Sequence, residues 1–103
     1  MELQKIQDEV YNFLKDRDWF KYSPNDVLIH LHEELSEIGK HLLFKSKYKE
    51  ESGHSKPDEK ELPREFAQAF SLFLQLCILL DVDLEQAWKN EIRIMRERFP
   101  IDK

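Results

Sequence analysis

A chain of 103 residues with two glycines, four prolines and 36% charged side chains has material for one helical domain and little for a strand-and-turn architecture. A formal charge of −5 at pH 7 provides no global basic field of the kind that recruits nucleic-acid polymers. The single cysteine, Cys77, has no internal partner and lies in an apolar run, which points to a reducing, cytoplasmic setting.

The N-terminal MELQKIQDEV is amphipathic rather than a signal peptide, and no apolar run reaches the length of a membrane span. The expected fold is therefore all-α, one domain over 1–103. A first helix is expected over Glu2 to Lys15, with Leu3, Ile6, Val10, Phe13 and Leu14 on one face. An aromatic stretch, Asp18 to Tyr22, interrupts it. Ser23 then stands as an N-cap, with Pro24 at the first helical position and Asp26 at the third.

The helix that follows runs to about Phe44 and carries two lines of side chains. Leu28, Leu31, Leu35, Ile38 and Leu42 form an apolar stripe, and His30, Glu34, Glu37 and His41 recur at i, i+4, i+7 and i+11 beside it. Carboxylates stacked one turn apart repel by a few tenths of a kcal/mol, a cost that solvent absorbs on a wet face and a bound cation removes elsewhere.

Residues 45–60, KSKYKEESGHSKPDEK, hold little that can be buried and read as a mobile loop. Lys45, Lys47 and Lys49 are available there to phosphates, although lysines in polar loops are usually only solvated. A third helix from Pro63 to Leu80 is apolar nearly all round and should be the most buried. Arg64, Gln68, Ser71 and Gln75 form its one polar line, with Glu65 beside it. Asp83, with Gln86 as capping partner, starts a last helix whose apolar face is Leu84, Ala87, Trp88, Ile92 and Met95, and Pro100 ends it.

Two helices thus present oxygen ligands at helical spacing, Glu34 and Glu37 on one, Glu65 and Gln68 on the other. Such donors suit Mg²⁺ or Mn²⁺, hard cations that also take water and substrate phosphates. A di-iron site of the Glu-x-x-His type is disfavoured, because neither helix carries that pair at i, i+3.

The run Glu33-Glu34-Leu35-Ser36-Glu37 followed by Glu65-Phe66-Ala67-Gln68 resembles the ExxE…ExxD signature of the all-α nucleoside triphosphate pyrophosphohydrolases, the MazG-like and dCTP pyrophosphatase group. Arg17-Asp18-Trp19 with Pro24-Asn25, Leu80 to Leu84, and Arg98-Phe99-Pro100 extend the similarity from about Asp16 to Pro100. The resemblance implies a four-helix MazG-like bundle assembled as a dimer or tetramer, and hydrolysis between the α- and β-phosphates of a (d)NTP with Mg²⁺ or Mn²⁺. Carried across, Glu34, Glu37, Glu65 and Gln68 would ligate metal and Glu33 and Glu34 would serve catalysis. Trp19, Asn25, His30, Lys89 and Arg93 would contact substrate.

The departures are Gln68 in place of the family's aspartate, and Glu91 and Met95 in place of its phosphate-binding lysine and asparagine. They open a second reading, a catalytically degenerate relative that binds nucleotide or a protein partner. A third, an unrelated helical interaction module, requires the Glu34, Glu37 and Glu65 carboxylates to point apart.

Overall fold

The computed structural model describes residues 2–101, and among them every regular element is helical. Five α-helices follow in order: α1 (Leu3–Asp16), α2 (Pro24–Lys45), the one-turn α3 (Tyr48–Glu51), α4 (Leu62–Leu79) and α5 (Leu84–Arg98). Short 3₁₀ turns at Trp19–Lys21 and Glu59–Glu61 complete them.

The start signals of the sequence act as written. Ser23 Oγ accepts the Asp26 N–H at 3.2 Å with Pro24 at the first helical position, satisfying one of the amides a helix start leaves unpaired. Ser23→Ala should cost about 1 kcal/mol, read as a shift in urea midpoint at constant m. Asp83 Oδ1 likewise accepts the Gln86 N–H at 3.1 Å. The reciprocal half of that capping box is absent, because the Gln86 side chain turns along the helix to Asn90 Oδ1 at 3.2 Å. The 45–60 stretch, expected as a plain loop, contains α3 and the second 3₁₀ turn.

The core is the seam between α2 and α4. His41 near the end of α2 meets Glu65 in the first turn of α4, while Val27 near the start of α2 clusters with Ala69 and Leu72, so the two helices run antiparallel. Half of the buried residues belong to α4, and Leu74 is its most enclosed at 0% exposure. Burial also pushes the Cys77 thiol above its ordinary pKa, as expected of a sheltered, unreactive cysteine.

The face that α2 buries differs from its leucine stripe. Val27, Leu31 and His41 are buried and Glu34 and Ile38 half-buried, a line at i, i+4, i+7, i+11 and i+14. Leu28, Leu35 and Leu42 lie one residue-step round the helix and stay exposed, the latter two at 50% and 62%. On α4, Phe66, Phe70 and Phe73 are exposed in the same way.

At the end of α4 the chain turns through Asp81, at φ 57°, with the Val82 N–H bonded to the Cys77 carbonyl at 2.8 Å and the Asp81 N–H to that of Ile78 at 3.1 Å. This double bond pattern closes the helix, and its left-handed residue re-aims the chain. α5 leaves α4 at 101° and contains no fully buried residue. The Cα radius of gyration is 17.5 Å, against about 13 Å for a compact chain of this length. No single helix among the described residues is long and apolar enough to cross a membrane.

Candidate active site between two helices and a loop

The polar line of α2 opens on the side of the seam where α1 and the 45–60 segment lie. Three cavities lie along it. The first, about 420 Å³, lies under α1 and is walled by Phe13, Trp19 and Leu72, with His30, Glu34, Gln68 and Gln75 supplying its polar atoms. A neighbouring hollow of about 310 Å³ shares Trp19, His30, Leu72 and Gln75 with it. The last, about 450 Å³, is covered by the 45–60 segment and lined by Glu37, His41, Glu65, Lys40, Lys49 and Lys56 among others.

Trp19 reaches the first cavity from the 3₁₀ turn, held edge-on to Phe13 at 5.6 Å between ring centroids and to Tyr22 at 6.4 Å. The left-handed Asp18 (φ 58°) makes that turn possible. Such edge-to-face contacts hold an aromatic ring in a fixed plane, ready for a flat ligand.

The carboxylates are divided between the cavities. Glu34, with a side chain 19% exposed, has His30 Nε2 at 3.6 Å and faces the aromatic cavity across from Gln68. Glu37 faces the loop-covered cavity one turn on and is bound by Lys40, Nζ to Oε1 3.1 Å and to Oε2 3.2 Å. Glu65 enters the same cavity from the first turn of α4, where the helix dipole favours its charge.

Glu65 is the most constrained of them. Its side chain is 14% exposed and that of His41 only 4%, and Glu65 Oε2 lies 3.0 Å from His41 Nε2. The separation is that of an ion pair, although no hydrogen bond of good angle joins the two. Oε2 is therefore shielded from solvent without a hydrogen-bond donor. A buried carboxylate oxygen in that state is costly unless something else satisfies it.

Of the other residues the sequence singled out, Glu33 is exposed and lines none of these cavities, and neither does Asn25. Lys89 and Arg93 lie on α5, paired with Glu85 at 3.9 Å and Glu97 at 3.6 Å, outside these cavities. Glu91 and Met95 are exposed on the same helix. Sequence reasoning did not single out His41 as a neighbour of Glu65, or Lys40, His54 and Lys56 as cavity lining. The spacing of His41 with Glu34 and Glu37 was its one visible signal.

Among the described residues no three His, Cys, Asp or Glu side chains converge closely enough to hold a metal ion as they stand. The donor chemistry nevertheless fits a hard cation at the Glu65 end, where one buried oxygen has no donor and Glu37 borders the same cavity. Glu37 is held there only by a partly exposed lysine, an ion pair of small worth that a cation readily replaces. Compared with protein-family models, with curated proteins and with solved structures, the chain matches none.

Proposed function

We propose that this chain is a divergent MazG-like nucleoside triphosphate pyrophosphohydrolase that works with Mg²⁺ or Mn²⁺ as a homo-oligomer. The observation that carries the reading is the shielded oxygen of Glu65 beside Glu37 in a lysine-bordered cavity, with Glu34, one turn along α2, lining an aromatic-walled one. A nucleotide has the same order of parts, a flat base followed by a polyphosphate. The base lies against Trp19 in the first cavity and the phosphates run along the carboxylates toward Lys40, Lys49 and Lys56.

Glu37 and Glu65, which line one cavity, would hold the cation, with Glu34 one turn away along α2 in the aromatic cavity. When bound, the cation neutralises phosphate oxygens and lowers the pKa of water. Glu34 orients the attacking water, whose oxygen bonds to the α-phosphorus as the bond to the bridging oxygen of the β-phosphate breaks. The products are a nucleoside monophosphate and pyrophosphate.

Assembly follows from the apolar residues left outside. With α2 and α4 antiparallel, 100° per residue places Leu28, Leu35 and Leu42 on the same side of the pair as Phe66, Phe70 and Phe73. Six large apolar side chains on one face exceed the scattered exposure usual for a monomer. A second copy of the same α2–α4 pair covers them and completes a four-helix bundle between chains.

Gln68 favours a second reading, a relative that binds nucleotide without hydrolysing it. It sits across the cavity from Glu34 where the resemblance calls for a carboxylate, which leaves the site one negative charge short. A Mn²⁺ titration followed by electron paramagnetic resonance tests the metal directly. Saturable binding to the wild type that is lost in Glu65→Gln is expected. Equal binding by both would remove Glu65 from the site.

A further inference from the structure

We propose that Gln75 is the specificity residue of the aromatic cavity, an amide held ready to pair with the edge of a planar heterocycle stacked on Trp19. Gln75 is only 7% exposed and borders both the main cavity and its neighbour, as do Trp19, His30 and Leu72. Its amide makes no hydrogen bond with any described residue, yet it is not among the polar atoms sealed from solvent without a partner, so it opens into the space it lines.

Other polar side chains nearby are exposed or already bonded. Gln7, the other buried glutamine, lies outside this cavity, where it donates its Nε2 to the Val82 carbonyl at 3.0 Å and holds α1 to the turn before α5. Ser71 donates its hydroxyl to the Gln68 carbonyl at 2.9 Å, one turn along the same helix. Gln75 alone on that polar line is both buried and uncommitted.

Burying an amide without a partner is unfavourable, so such groups are found where a ligand or water completes them. A glutamine amide offers a donor and an acceptor side by side, the pattern that matches adjoining donor and acceptor atoms on a nucleobase. Trp19 supplies a face for stacking, which is tolerant of base identity, whereas the amide contact discriminates. Mostly apolar walls with a few polar groups are the usual make-up of a small-molecule site.

This inference rests on the nucleotide reading, and the test separates the two. Titration calorimetry with Mg²⁺ measures binding of the α,β-methylene analogues of the natural nucleoside triphosphates and of base-free ribose 5-triphosphate. Wild type should bind at least one nucleoside analogue more tightly than the base-free compound. Gln75→Leu should weaken that analogue about tenfold while leaving ribose 5-triphosphate unchanged, a contrast that damage to the fold does not produce. Gln75→Glu, which keeps the shape, should shift preference toward an edge with two donors, as guanine presents at N1 and N2. Retention of the wild-type preference by both variants would overturn the role of Gln75 and leave the nucleotide reading standing. No binding of any triphosphate by the wild type would overturn both.

Discussion

Glu65→Gln should lower pyrophosphate release by about 100-fold or more while leaving the melting temperature unchanged or slightly raised. The two effects come from one cause. The glutamate presents a shielded oxygen with no hydrogen-bond donor, so the charge burdens the fold and serves the site. Glutamine keeps the volume, removes the charge and offers an N–H in its place. A metal ligand contributes several kcal/mol of stabilisation to the charge developing on phosphate oxygens, and about 1.4 kcal/mol corresponds to each factor of ten in rate. Turnover within a few-fold of wild type, measured at saturating Mg²⁺, would remove Glu65 from the chemistry. A variant that is both inactive and unfolded would instead assign it a structural role with His41.

Leu35→Glu combined with Phe70→Glu should convert the assembled protein to single chains. Light scattering should give wild type twice or four times the 12.5 kDa of one chain, and the double variant 12.5 kDa. Both residues lie on the uncovered side of the α2–α4 pair, and a self-complementary interface counts each substitution twice. Burying a side chain of this size is worth roughly 1.5–3 kcal/mol, so four charges placed across the interface exceed what a small contact can absorb. The separated chain should also melt earlier, since its radius of gyration of 17.5 Å reflects helices that do not enclose one another. A wild-type mass of 12.5 kDa at micromolar concentration would contradict the assembly, and an unchanged mass in the variant would move the interface elsewhere.

The helix order, the Ser23 and Asp83 caps and the dominance of α4 in the core were legible because they depend on local spacing and capping chemistry. The buried face of α2 was not. A leucine stripe at i, i+3, i+7 reads as a core face, but Val27, Leu31 and Ile38 fill that role with Glu34 and His41 among them. Periodicity identifies an apolar line without saying whether its partner is in the same chain, and α2 carries enough apolar residues for two partners.

The candidate site divides similarly. Glu34, Gln68, Trp19 and His30 line one cavity and Glu37 and Glu65 another, because helical spacing carries over directly into shared faces. The contribution of Lys49 and Lys56 depends on how the 45–60 segment folds back over α2, which composition does not encode. Lys89 and Arg93 fell outside because the turn at Asp81 sends α5 away at 101°, an angle fixed by one left-handed residue that no sequence motif marks.

We propose that the carboxylates of α2 and α4 hold a cation for phosphate-anhydride hydrolysis. The most direct test is pyrophosphate release from natural and modified (d)NTPs with Mg²⁺ or Mn²⁺, by wild type and Glu37→Ala in parallel. Metal-dependent release from at least one nucleotide is expected, reduced about 100-fold or more by the substitution. No release from any nucleotide by a folded, metal-saturated wild type would contradict it, as would turnover that Glu37→Ala leaves untouched.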